Sequence, residues 1–183
     1  MSNTEWDALD PAPEPNEEID YLDRPLDEMP EDFLTVHRYW DTLRAGRFAP
    51  TWKEFEMMKI PPTLLPSTLV KDVEHDPLTF RYRFYGTHLA RIWDRELTGK
   101  TTDDLQSVML AKTVRQALER FIEQKQPVFT LLRVSSPVKP QQLQMQLRLP
   151  ISNDGINVTN VLTLISHLVD KVQFTQLLGC KNS

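Results

Sequence analysis

Four histidines, one cysteine and a few pairs of acids are the side chains in this sequence with the chemistry to be a site. His37, His75, His88 and His167 share no i,i+4 or close metal-ligand spacing, and there is no Cys-x-x-Cys. Their spacing therefore argues against a dedicated metal site. His88 follows a Gly-Thr at a strand end, where it is a candidate cavity residue and, at the extreme, a haem ligand. A hydrogen-bonded structural histidine is the simpler reading. Cys180 lies near the C-terminus, away from any cavity, so a flavin-reactive thiol is not expected. Asp103-Asp104 and Asp94/Glu96 are acid pairs, but helix capping and solvated surface account for them. No Gly-x-Gly-x-x-Gly or Walker sequence offers a phosphate cradle. With no nucleophile–base pair in view, no catalytic residue is assigned and no turnover is expected. These residues name no cofactor.

The elements that must position any site centre on FRYRFYGTHLARIWDRELTGKTTDDL, residues 80–105. Phe80, Tyr82 and Phe84 alternate with Arg81, Arg83 and Tyr85, the period of a strand with one buried face. Gly86 breaks it, short helical turns follow, and Gly99 stops them. Before this strand, residues 68–74 read as its hairpin partner across an Asp-Pro turn. Arg81 and Arg83 are expected to pair with acids such as Asp72 and Glu74 across it. After it, Leu110, Val114, Ala117, Leu118 and Phe121 mark a long helix over 106–124. Three strands follow, over 128–134, 143–151 and 157–168. In the second, Leu143, Met145, Leu147 and Leu149 are expected to point inward and Gln144, Gln146 and Arg148 outward. The third is apolar on both faces and reads as central. Residues 170–178 read as a short terminal helix. Ahead of the hairpin, Phe33, Val36, Trp40 and Leu43 form a helical stripe. That stripe either packs on the sheet or serves as an interaction surface, and it can do both.

Composition sets the outer bounds. The chain has 183 residues and a net charge of −5. The charge is uneven: residues 1–32 carry twelve acids against Arg24 alone, a net −11, and the rest carries +6. With five prolines as well, residues 1–31 are expected to be a disordered acidic tail. The tail either aids solubility or docks a partner through Trp6, Leu9, Ile19, Tyr21 and Leu22. A single folded domain is expected over 32–178, with 179–183 as a short end. No apolar run approaches the roughly 18 residues of a membrane span. With no secretory signal and one cysteine, a cytoplasmic setting is expected. A domain charge of +6 gives no support to nucleic-acid binding.

The order helix, two strands, small helices, long helix, three strands resembles a PAS domain. That implies an α+β fold with a five-stranded antiparallel sheet and helices inserted between its second and third strands. The segments YWDTLRAGRFAP, IPPTLLPSTLVKDVEHDPLTFRYRFYGTHLA and ELTGKTTDDL resemble a bacterial, mostly alphaproteobacterial, stand-alone PAS-like family, formerly a domain of unknown function. The resemblance spans about residues 34–170. In one place the chain departs: the family's small helices carry a glycine just before an Arg-Asp/Glu pair, and here Trp93-Asp94 precede Arg95-Glu96.

The resemblance implies regulation rather than catalysis. PAS domains sense small molecules and pass the state on through protein contacts. Too little chain follows the last strand for an output domain, so the protein is expected to act on other chains, signalling proteins among them, with a homodimer as one option. Two readings follow. In the first, a ligand occupies a cavity lined by Tyr82, Phe84, His88, Trp93, Met145 and Leu147. In the second, the core is filled, with Trp93 as one of its plugs, and the protein is a pure adaptor. A void of a few hundred Å³ would separate them.

Overall fold

Six antiparallel strands in the order β1-β4-β5-β6-β2-β3 form the centre of the molecule. The structure is a computed structural model that describes residues 18–105, 107–135 and 142–168. The strands are β1 (Glu18–Arg24), β2 (Thr68–His75), β3 (Leu78–Tyr85), β4 (Val128–Ser135), β5 (Gln142–Ile151) and β6 (Asn160–Leu168). The helices are α1 (Glu31–Arg44), α2 (Thr87–Trp93) and α3 (Val108–Gln124). The expected terminal helix over 170–178 and Cys180 lie outside the described residues, as do Trp6 and Leu9.

The sheet has one strand more than the sequence reading gave. Residues 18–24, expected to belong to a disordered tail, instead form β1, paired along its length with β4 from Glu18↔Ser135 to Arg24↔Phe129. The tail's mean composition hid a short alternating piece. Tyr21 turns to one side of the sheet and Leu22 packs against the core on the other. Arg24 is buried beside Glu28. Main-chain pairing supplies what the few apolar side chains lack, which is how an edge strand can be acidic.

Both faces of the sheet are covered. On the first face lies α1, whose Phe33, Val36 and Trp40 are fully buried with Phe129, Leu147, Leu149 and Leu162. The Trp40 indole Nε1–H donates to the Pro150 carbonyl at 2.7 Å, fixing the helix over β5. Ala45, at φ 48, ends the helix in the left-handed conformation. Phe33, Val36 and Trp40 are therefore buried core residues, and Leu43, partly buried, packs against the same core. Their i, i+3, i+4 spacing is the same for a helix on a sheet as for a helix on a partner, so the pattern alone did not separate the two.

On the second face lie α2, α3 and the segment between them. Leu118 and Phe121 of α3 pack with Phe80, Val73 and Val161, and Leu89 of α2 packs with Leu69, Tyr82 and Tyr85. Ser107 caps α3, accepting the Leu110 N–H at 3.2 Å. Gly86 at the start of α2 is there for space: a Cβ would stand 2.2 Å from the Pro66 carbonyl oxygen. The expected surface ion pairs form, Arg81 with Glu74 at 2.9 Å and Arg83 with Asp72 at 2.6 Å. Being exposed, they add little stability. The loop between β5 and β6 is longer than the hairpin turn suggested. Asp154 accepts the N–H groups of Ile156 and Asn157 at 2.8 and 2.7 Å and holds that stretch out of the strand.

Candidate functional site

A sheet covered on both sides cannot have an outward-facing polar row in its middle. Leu143, Met145, Leu147 and Leu149 do point into the α1 side, as their alternation predicts. Gln144, Gln146 and Arg148 do not face solvent; they are 3, 7 and 7% exposed and face the second layer. Between them and α2–α3 is a cavity of about 370 Å³. Its floor is the sheet: Tyr21, Leu132, Gln144, Gln146, Arg148, Thr163, Ile165, Leu69, Lys71 and Tyr82. Leu89 and Trp93 of α2 and Leu110, Val114 and Leu118 of α3 are among its other walls.

Of the six residues named for a ligand, Tyr82 and Trp93 line this cavity. Met145 and Leu147 are on the opposite face, in the α1 core, because they are the alternate set of β5. Phe84 is misplaced for a different reason. Val70 pairs with Phe84 but Lys71 pairs with Tyr82, so β3 has an extra residue at Arg83, a β-bulge. The bulge turns Phe84 to the α1 side and brings Tyr85 to the cavity. His88 is half-buried on α2, outside the cavity lining, edge-on to His167 with ring centroids 5.6 Å apart. Trp93 forms wall without closing the space. The residue directly before Arg95 is Asp94, which has φ 49. A glycine there relieves backbone strain, which Asp tolerates better than most residues; the departure from the family pattern concerns the chain's path and not the pocket's volume.

The residues that the sequence reading missed are the polar ones. Along β5, Arg148 Nη2 donates to Gln146 Oε1 at 2.8 Å, and Gln146 Nε2 donates to Gln144 Oε1 at 3.1 Å. Gln144 Nε2 then meets His167 Nε2 at 3.1 Å, so that nitrogen accepts and the His167 proton sits on Nδ1. Burial, and His88 after it, hold the His167 pKa below the usual imidazole range. The neutral ring is the form that this ladder requires. One signal pointed here: β6 reads as apolar on both faces, so its neighbour β5 had to be covered on both faces too.

Two cations lie in this floor. Lys71 is 4% exposed, with Nζ over the Tyr82 ring at 4.6 Å. It has no hydrogen-bond or carboxylate partner among the described residues. Burial, reinforced by Arg148, lowers its pKa from 10.5 to about 7. Arg148 sits beside Tyr21, its guanidinium carbon 5.9 Å from the ring centroid, and burial lowers its pKa as well. No Asp or Glu lines the cavity. Burial pushes the Tyr82 hydroxyl pKa up, and that of Tyr85 to about 12, so both phenols are neutral.

A family model described as a PAS domain matches residues 30–165. Among solved structures, similarity is found to one from work on light-oxygen-voltage domain mechanism with a flavin analogue. It is 14% identical, with a TM-score of 0.43, and the match covers 63% of this chain and 86% of that one. A second similar structure is an RNA-binding light-oxygen-voltage receptor, 15% identical, with a TM-score of 0.44, covering 92% of this chain and 44% of that one. The chain thus spans less than half of that receptor. No curated protein matches.

Proposed function

Because this chain belongs to the PAS domain family, we propose that it is a non-catalytic regulatory module that takes a small molecule in its cavity and signals the bound state to protein partners. The observation that carries this is the cavity itself. Its volume of about 370 Å³ falls within the range of small-molecule sites, and its apolar walls surround a few fixed polar groups. A pure adaptor with a filled core has no use for such a space, nor for two buried cations, whose desolvation costs several kcal/mol each. The cover over the cavity, α2 through α3, is the part positioned to change on binding. Its outer side, where Val108 and Met109 are 85 and 52% exposed, is the surface where a partner would sense that change.

Titration with indole, a neutral apolar probe, followed by amide NMR, tests the reading. Saturable shifts confined to residues around Tyr82, Trp93 and Leu110, and their loss in a folded Leu110→Trp variant that fills the space, are expected. No saturable shift at millimolar indole, or the same shifts in Leu110→Trp, would contradict it.

A further inference from the structure

Lys71, Thr163 and Arg148 stand on three neighbouring strands, β2, β6 and β5. Thr163 pairs with Arg148 on one side and with Leu69, two residues before Lys71, on the other. The backbones of the two residues are thus two strands, ~10 Å, apart with Thr163 on the strand between them, the Lys71 ammonium lying over Tyr82 and the Arg148 guanidinium beside Tyr21. Thr163 is 2% exposed, lines the cavity, and its hydroxyl Oγ1 has no hydrogen-bond partner among the described residues. Lys71 likewise has a ring beneath it and no anion near it. An ammonium, a guanidinium and an unused hydroxyl lining one cavity without a carboxylate in its walls are an incomplete electrostatic arrangement. The missing part is a negative charge.

We propose, building on the ligand-binding reading above, that the cavity is a site for an organic carboxylate, its head held by Lys71 and Thr163 within the positive field of Arg148 and its apolar body against Leu89, Trp93 and Leu110. Lys71, Arg148 and Thr163 lie on the sheet floor and the opposite walls are mainly apolar, with Arg95 and Ser107 as polar exceptions, so the ligand is an amphipath with a charged end on the floor. At about 30 Å³ for each group the size of a water molecule, the space takes a body of about a dozen non-hydrogen atoms. The Lys71 ammonium and the Thr163 hydroxyl donate to the carboxylate oxygens, and the Arg148 guanidinium, further along the sheet beside Tyr21, adds positive charge without touching them. Arg148 keeps its bond to Gln146, so binding leaves the β5 ladder intact.

Calorimetric titration of the full chain with octanoate and 3-phenylpropanoate, each against its primary amide, tests the inference. Both acids should bind at least about tenfold more tightly than their amides, the scale of one charge-assisted hydrogen bond. Lys71→Met should remove most of that preference while leaving the amides within about threefold, and Thr163→Val should weaken the acids about 2- to 10-fold. Folding of both variants is checked by their melting curves. Amides that bind as tightly as acids would overturn the anionic assignment and leave the cavity reading standing. Acid binding untouched by both substitutions would place the site elsewhere and overturn it too. Absence of binding by acids and amides alike overturns the inference, and the indole titration then decides separately whether the cavity takes ligands at all.

Discussion

At the scale of single residues, Lys71 controls the energetics of the empty protein. Its pKa is about 10.5 unfolded and about 7 folded. Between those values the unfolded chain binds the extra proton, so stability should rise as pH increases from 7 towards 9. Below 7 both states are protonated and the full cost of the buried charge is present. Arg148 stays charged throughout this range, and Tyr21, Tyr82 and Tyr85, whose pKa values are raised by burial, stay neutral in the fold. Lys71→Met should flatten this slope and stabilise the ligand-free protein at pH 7 by up to several kcal/mol. Denaturant unfolding from pH 6.5 to 9 measures both effects; an unchanged slope in the variant would mean that Lys71 is solvated. Gly86 is the other decisive single residue. Gly86→Ala drives a methyl into the Pro66 carbonyl and should cost about 2 kcal/mol or more. A melting temperature equal to that of the parent would show that the β3–α2 junction yields freely.

Among the elements, the edge strand β1 has the clearest consequence. Its Tyr21 lines the cavity and its Leu22 closes the core, so the acidic segment is structural from Glu18 onward. Deleting residues 1–24 should cost about 2–4 kcal/mol, or roughly 5–15 °C in melting temperature, and should open one side of the cavity. A melting temperature unchanged by the deletion would show that β1 does not pair with β4 in solution. The same strands show where a sequence can be read and where it cannot. Period and punctuation located β2 to β6 closely, because alternation and turn residues are local properties. Which face of β5 meets the cavity is not local. It depends on α1 covering one side and α3 the other, and Gln144, Gln146 and Arg148 look like a solvated row until both covers are known. The bulge at Arg83 is also invisible in FRYRFY, since one extra residue leaves the alternation of letters intact while reversing the side to which Phe84 points. Averaged composition concealed β1 in the same way.

For the whole molecule, the architecture is a sheet with a dry hydrophobic core on one side and a partly polar chamber on the other. The α1 side supplies stability; the α2–α3 side carries two buried cations with no carboxylate in the cavity lining and an unpartnered hydroxyl, features that stability alone does not select. Among the described residues no three His, Cys, Asp or Glu side chains converge as a metal site, and no helix is long and apolar enough to cross a membrane. The proposed role is occupancy without turnover. Incubation with a bound carboxylate should therefore return that acid unchanged by mass spectrometry, and steady conversion to a product, abolished by a cavity substitution, would mean that the protein is an enzyme.

The most direct measurement is a crystal structure of the full chain grown with saturating 3-phenylpropanoate. The expected result is density for the acid between the sheet and α3, its carboxylate within hydrogen-bond reach of Lys71 Nζ and Thr163 Oγ1 and its ring beside Trp93. A chamber closed by collapse of Trp93 and Leu110 onto the sheet, with the Lys71 ammonium turned out to solvent, would contradict the account.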